Sequence, residues 1–445
     1  MSPMRRVLLV GSGAREHILA ERLAQSREPV ELYGFLGHRN PGIVGLCQGF
    51  TLGTVTDVAA VAAYAREIAA SWACIGPDDP LALGLVDALA EVHVPAFGPT
   101  KAGARIESSK AYARGLLTRH GIPGCPRYRV FSSYPGVEDW VGELQSAFVL
   151  KPDGLTAGKG VQVQGDHFAS REDGLAAASA MLERYGSIVV EEKLVGQEFS
   201  LLSITDGATC LHLPAVQDHK RAFEGDRGPN TGGMGTYSCA DGSLPFLTAQ
   251  DIRDAQAVNE ATVAAIERDC GVPYRGVLYG GFMAVAGGVR VVEFNARFGD
   301  PEAMNVLTVL ENDFVEVCEA VIRGQLSTVV PRFKPLATVC KYAVPEGYPE
   351  QPVRSVPLDV SQVDTSKVKL YFGSVDERSD GLYLKGSRAV AVVAQHQDLY
   401  QAEALVEEQI KRITGPVFHR ADIATRELVG ARVVLLAMVR RGTAV

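Results

Sequence analysis

Val291–Glu302, VVEFNARFGDPE, decides how the centre of this chain is built. Alternation along it is that of a β-strand, which puts Glu293, Asn295 and Arg297 on one face and Phe294 and Ala296 on the other. A carboxylate and an amide oxygen on one face are hard donors of the kind Mg2+ accepts together with phosphate oxygens and water. Arg297 on that face suits the stabilisation of charge on a transferring phosphoryl group. A structural ion pair on a sheet is the competing reading, and the Gly-Asp-Pro turn at Gly299–Pro301 makes it less attractive.

Working outward, Glu198–Thr205, Cys210–Val216, Tyr279–Val285 and Val289–Asn295 read as long strands, interrupted by a helix over Ala249–Asp269. Further upstream, a helix over Lys110–His120 stops at Gly121 and Pro123. Strands at Ala147–Lys151 and Gly160–Gln164 flank the loop PDGLTAGKG, and a helix at Glu172–Tyr185 leads into a strand at Ser187–Glu192. This section reads as α+β with antiparallel sheets. The first hundred residues differ. Apolar runs at Arg6–Val10, Glu31–Leu36, Ala73–Ile75 and Pro95–Phe97 alternate with helical patterns at Glu16–Gln25, Val58–Ala70 and Leu83–Glu91, which predicts a doubly wound parallel sheet. A boundary falls near residue 105. Beyond Pro331 and Pro335, strands at Ala337–Val344 and Ala389–Ala394 and a helix at Leu399–Ile413 predict a small mixed domain that helps close a substrate cleft.

The bulk numbers agree with a multidomain globular protein. With 445 residues the chain exceeds one ordinary core, and roughly three domains is the natural expectation. It is 47% hydrophobic and 22% charged, and its net charge of −8 with scattered Lys and Arg argues against nucleic-acid binding. The eight cysteines form no CxxC pair and read as reduced core thiols. MSPMRRVLLVGSG reads as a first strand rather than a signal segment, and no apolar run reaches the roughly 18 residues of a membrane helix. A cytoplasmic protein is expected.

Four further segments bear on chemistry. VGSGAREH, Val10–His17, is a glycine turn between strand and helix that aims N–H groups at an anion, but Glu16 replaces the third glycine of a dinucleotide fingerprint. Binding of a phosphate-bearing small molecule, with Arg15 beside it, competes with plain tight-turn packing. GLTAGKG, Gly154–Gly160, has three residues between its glycines and Gly160 after Lys159, so it is not a P-loop. As a glycine-rich hairpin it can cover a triphosphate, with the Lys151 ammonium pointing at the same phosphates; an ordinary flexible hairpin is the alternative. VVEEKLVGQEFS, Val189–Ser200, offers backbone groups to an adenine edge and carboxylates to a ribose, against solvated charges on a turn. GPNTGGMG, Gly228–Gly235, below the polar run Gln217–Arg221, favours a substrate site.

GxGxREH, GPxxPL at Gly76–Leu81, SSKAY at Ser108–Tyr112, LKPDGLTAGKGV, QDHKR, GPNTGGMG, EFNARFGDPE and ATVCKYAVPEGYP occur in that order. Together they resemble the phosphoribosylamine–glycine ligases of the ATP-grasp superfamily, from about residue 5 to beyond 420. The resemblance implies a fold of three parts: an N-terminal doubly wound substrate domain at 1–107, an ATP-grasp domain at 108–328 with a small mobile lobe at about 125–193, and a C-terminal domain at 329–445. It implies ATP and Mg2+ or Mn2+ as cofactors, with glycine and 5-phosphoribosylamine as substrates. A monomer or weak homodimer, without nucleic-acid or membrane partners, is expected. Lys110 and Lys151 match nucleotide phosphate ligands, under a loop that includes Gly154, Gly158, Lys159 and Gly160. Glu191, Lys193, Leu194 and Glu198 match the adenine and ribose contacts. Glu293 and Asn295 match the metal ligands. Arg297 matches the transition-state cation, which the resemblance puts with Asp218 and Lys151 in a catalytic role. Asp218, Asn230, Gly232 and Gly233, with Arg297, Gly299 and Asp300, match the substrate region. Gly13, Arg15, Pro41 and Gly42 would face phosphoribosylamine. Ala14 and HRNPGI, His38–Ile43, depart from the usual pattern on that side. A related carboxylase using bicarbonate would keep Glu293 and Asn295 but lack QDHKR. A nucleotide-binding regulator would have lost Glu293, Asn295 or Lys151, and an NAD-dependent oxidoreductase is disfavoured by Glu16.

Overall fold

The computed structural model describes residues 4–156 and 160–443, so the expected loop residues Gly158 and Lys159 lie outside the described residues. At the start of the chain, Arg5–Val10 is buried over its last four residues and pairs in parallel with Val30–Leu36 on one side and Trp72–Ile75 on the other. Gly49–Leu52 and Ala96–Phe97 complete a five-stranded parallel sheet as its edges. Gly49–Leu52 was not expected, because four edge residues, three half-buried and Leu52 exposed, carry too little alternation to register. Connections leave Arg5–Val10 towards both edges, so the Gly11–Gly13 turn sits at the switch point of the sheet, where such folds open a crevice.

Two antiparallel sheets follow. Tyr128–Phe131, Ile188–Glu192, Phe148–Pro152 and Gln162–Val163 form one, covered by helices Val137–Leu144 and Arg171–Tyr185. Its core, with Phe131, Trp140, Phe148 and Phe168 as the largest members, is separate from the main one. Cys210–His212, Gln197–Thr205, Gly276–Val285 and Gly288–Asn295 form the other, packed on helix Ala249–Cys270. The strand expected over Cys210–Val216 ends at His212, and Val216 returns only as a bridge to Ser200. Pro214 lies between them and has no N–H to give a ladder.

The C-terminal section shares its sheet with the centre of the chain. Ala337–Pro345 pairs with Val390–His396 and also with Gly235–Ser238, which pairs in turn with Gln217–Asp218. The polar run and the glycine-rich segment are therefore fastened to the C-terminal strands. A last helix, Arg426–Arg441, was not expected. Val433, Val434, Leu435 and Met438 are exposed on it, so its apolar residues follow no single stripe. All eight cysteines are free thiols. Among the described residues no helix is long and apolar enough to cross a membrane.

Candidate functional site

Glu293 and Asn295 belong to the strand Gly288–Asn295, where Phe294 points into the core and its two neighbours are half-buried towards a cleft of about 650 Å3. The alternation expected from sequence holds over Glu293–Asn295, but the strand ends at Asn295, so Ala296 and Arg297 lie beyond it and Arg297 reaches the cleft from the following bend. Glu293 Oε1 lies 3.3 Å from Lys220 Nζ, and the same ammonium is 3.6 Å from Glu198 Oε2. Lys220 outweighs burial and, with Lys151 and Lys110, holds the Glu293 carboxyl at about 2. Glu293 in turn pushes the Lys220 ammonium well above its ordinary value. Asn295 Oδ1 accepts from Arg297 Nη1 at 3.2 Å. Among the described residues no three His, Cys, Asp or Glu side chains gather around one point, and the donors that could hold a metal on this strand are one carboxylate and one amide. That pair fits a cation which takes the rest of its shell from water and phosphate oxygens.

Arg297 is more tied down than expected. Its Nη2 lies 2.8 Å from Glu107 Oε1 and 3.7 Å from Asp78 Oδ2. Glu107 also accepts the Ala296 N–H at 2.7 Å. Burial pushes the Glu107 carboxyl up, and Arg297 only partly offsets this. Arg297 thus joins the strand to the helix Lys101–Ser108 while still facing the cleft.

Lys151 and Glu191 sit on paired strands and face a third member, Arg114, on the helix Lys110–Arg119. Arg114 grips Glu191 through two bonds of 2.6 and 3.0 Å, and Lys151 Nζ adds one of 2.9 Å. Both cations also donate to the Val292 carbonyl. Burial raises the Glu191 carboxyl, but Arg114 and Lys151 together outweigh it and hold it at about 2. Glu191 is therefore occupied by the protein itself, and its side chain fixes Lys151 at the cleft wall. Lys110 Nζ donates to the Gly154 carbonyl at 2.7 Å, holding the entry of the glycine loop.

On the opposite wall, Asp218 and Glu302 are close enough in charge that burial and Glu302 push the Asp218 carboxyl well up. Glu302 Oε1 accepts from the Tyr279 hydroxyl at 3.0 Å. Gly233, at φ +111°, lies so near Asp218 that a Cβ there would come within 2.7 Å of its Oδ1. Only glycine fits. Arg388 fastens this loop: it donates to the Gly232, Gly233 and Asp300 carbonyls at 2.7, 3.2 and 2.6 Å.

At the N-terminal turn the anion comes from the chain. Glu16 Oε2 accepts the Gly13 N–H at 2.6 Å, and Glu16 Oε1 accepts from Arg15 Nε at 2.6 Å. Arg15 reaches on to the Phe298 carbonyl and lines the cleft, whereas Gly13 does not. Pro41 and Gly42 also lie off the lining. Their loop is locked by Asn40, which donates to the Ser12 and Phe372 carbonyls. A Cβ on Gly42 would come within 1.9 Å of the His17 ring.

The cleft gathers Arg15, Lys110, Lys151, Gly154, Glu191 and Glu198 of the expected residues, and on its other walls Asp218, Asn230, Gly232, Glu293, Asn295, Arg297, Gly299 and Asp300. Gly160, Lys193, Leu194 and Gly233 are not in its lining. Sequence reading assigned no role to Arg114, Glu107, Asp78, Glu302 or Arg388. Arg114 had a usable signal, since it follows Lys110 by one helical turn and shares its face. Arg388 had none, because its partners come from distant segments.

Family models for the three parts of phosphoribosylglycinamide synthetase match this chain: the N domain over residues 5–107, the ATP-grasp (A) domain over 108–303 and the C domain over 338–426. The chain belongs to the phosphoribosylglycinamide synthetase family. It is similar to the phosphoribosylamine–glycine ligase of Methanosarcina barkeri, at 44% identity over 96% of this chain and 98% of that one. The corresponding ligase of Methanothermobacter thermautotrophicus is likewise 44% identical over 96% of this chain and 98% of that one. Among solved structures, the ligase of Thermotoga maritima overlays with a TM-score of 0.78 at 26% identity, covering 94% of this chain and 99% of that one. A biotin carboxylase domain from Hydrogenobacter thermophilus, solved with MgADP and bicarbonate, shares the fold at a TM-score of 0.71 and 12% identity, over 99% and 96% of the two chains. The cleft residues of this synthetase family member therefore sit on the ATP-grasp scaffold that the sequence resemblance implied.

Proposed function

We infer that this chain ligates glycine to 5-phosphoribosylamine at the expense of ATP, giving glycinamide ribonucleotide, ADP and phosphate in purine biosynthesis. The observation that carries this reading is the facing of Glu293 and Asn295, across Lys220, by the Asp218 and glycine-loop wall. One wall suits a nucleotide and its metal, the other a small amino acid. Relatives named for this activity, nearly full length at 44% identity, support it.

In the first step a glycine carboxylate oxygen attacks the γ-phosphorus and ADP leaves. The resulting glycyl phosphate has a good leaving group that the carboxylate lacked. The amine nitrogen of phosphoribosylamine then attacks the carbonyl carbon, and inorganic phosphate departs with the carboxylate oxygen. Asp218, with its raised proton affinity, is suited to take the proton from that amine. Lys110 and Lys151 neutralise the nucleotide phosphates. Glu198 lies where a ribose would be held, and Arg297 stabilises charge on the phosphoryl group in transfer. A divalent cation held by Glu293 and Asn295 would supply electrostatic stabilisation of the phosphates, with Mg2+ or Mn2+ serving. Asn230, Gly232, Gly299 and Asp300 line the glycine end, and Arg15 the phosphoribosylamine end. Within this reading, 1–107 is the substrate domain, 108–328 the ATP-grasp domain and 329–445 a C-terminal domain. The protein works in the cytoplasm as a monomer or weak dimer.

ADP release is the test, with glycine and freshly generated phosphoribosylamine each omitted in turn. Release that requires both supports the assignment; release indifferent to glycine sinks it.

A further inference from the structure

Lys220 stands between the two carboxylates that flank the nucleotide side of the cleft, at 3.3 Å from Glu293 and 3.6 Å from Glu198. Its backbone cannot follow its side chain, because the Lys220 carbonyl accepts both the N–H and the hydroxyl of Thr231, at 2.7 and 2.9 Å. The side chain itself is about a third exposed, at 36%, so the ammonium can swing while the strand end stays put. A divalent cation on Glu293 repels an ammonium held on the same carboxylate, so the two compete for it.

We propose that the Lys220 ammonium is an exchangeable counter-cation that holds Glu293 and Glu198 until a divalent cation enters, and then moves from Glu293 to the nucleotide phosphates. The inference rests on the metal role given to Glu293 above. A cation entering alone displaces Lys220 from Glu293 and leaves the ammonium only its longer contact, 3.6 Å to Glu198. A cation entering with ADP or ATP brings phosphate oxygens that give the ammonium a new partner. Lys220 thereby makes metal affinity depend on nucleotide, which keeps a metal off the site when no phosphates are there to complete its shell. Neighbouring cations do not fill this role. Lys151 is held by Glu191 and the Val292 carbonyl, and Lys110 by the Gly154 carbonyl.

Mn2+ binding, read from the loss of the free-ion electron paramagnetic resonance signal, tests this without turnover. It is measured with and without ADP for the full chain, Lys220→Met, Lys220→Arg and Glu293→Gln. Without nucleotide, Lys220→Met should bind Mn2+ on the order of tenfold more tightly than the parent, while Lys220→Arg stays near the parent. The gain in Mn2+ affinity on adding ADP should shrink in Lys220→Met. Unchanged or weaker nucleotide-free binding in Lys220→Met overturns the proposal while leaving the metal site intact. Unchanged binding in Glu293→Gln instead removes the metal role of Glu293. Should Lys220→Met fail to fold, a crystal structure of the parent with Mn2+ and ADP decides. Lys220 beyond hydrogen-bond reach of Glu293 supports the exchange, and Lys220 still bonded to it refutes it.

Discussion

Arg388 and Asp300 lie 88 residues apart, and the guanidinium holds both ends of the aspartate: its backbone carbonyl at 2.6 Å and its carboxylate at 3.2 Å. The Tyr342 hydroxyl donates to the other carboxylate oxygen at 2.5 Å, beneath the Arg388 guanidinium. Because Arg388 also holds the Gly232 and Gly233 carbonyls, one side chain positions both loops of this cleft wall. Arg388→Lys keeps the charge but not the fork of donors. Steady-state kinetics should show kcat/KM for glycine falling roughly a hundredfold, the scale of two lost charge-assisted bonds, with KM for ATP nearly unchanged. A loss confined to ATP would contradict this placement.

Glu191 is expected to matter first for stability. Removing it leaves Arg114 and Lys151 buried beside each other without their shared anion. Breaking one partner out of a buried ionic group costs about 3–5 kcal/mol. Glu191→Ala should therefore lower the midpoint of chemical denaturation clearly, whereas Glu198→Ala, at a half-exposed site, should barely move it.

Glu293→Gln keeps the side-chain shape but removes the charge that Lys220 faces. Turnover should fall by about a hundredfold or more, with the melting temperature within a few degrees of the parent. Activity near that of the parent would remove Glu293 from the reaction.

His17 predicts a pH dependence of stability. Burial lowers its imidazole from 6.5 to about 4, while Glu21 pulls the other way. Its Nδ1 accepts the Phe372 N–H at 2.9 Å, so the neutral ring is the one that packs. The folded value lies below the unfolded one. Its contribution is thus fully present above about 6.5 and is lost as the pH falls from there towards about 4. The shift corresponds to about 3 kcal/mol. His17→Gln, whose amide oxygen can still accept from Phe372, should show a shallower loss of stability between neutral pH and pH about 5 in denaturant titrations. Equal slopes for the two proteins would count against a buried neutral His17.

Much of the fold was legible because it depends on local pattern. Alternation placed Glu293 and Asn295 on one face, though the strand stops short of Arg297, and the rhythm of short apolar runs and helices marked the parallel sheet. Helix ends at Gly121 and the antiparallel run of Gln197–Thr205 with Gly276–Val285 followed from the same kind of signal. The edge strand Gly49–Leu52 and the helix Arg426–Arg441 escaped, the first by brevity and the second because its apolar residues form no stripe.

By itself, then, the sequence determined the succession of elements, the face on which each polar residue of a strand falls, and the family through the order of its motifs. Only the tertiary structure decided who meets whom. That Gly235–Ser238 pairs with Ala337–Pro345 brings Arg388 onto the glycine loop. That Lys110–Arg119 packs against Ile188–Glu192 closes Arg114 on Glu191. It also showed that Glu16, not a ligand, answers the N–H of Gly13. Periodicity in a chain reports which way a side chain points from its own strand or helix. Partners far apart in sequence depend on which strands hydrogen-bond and in what register, and that is settled by burying all the faces at once.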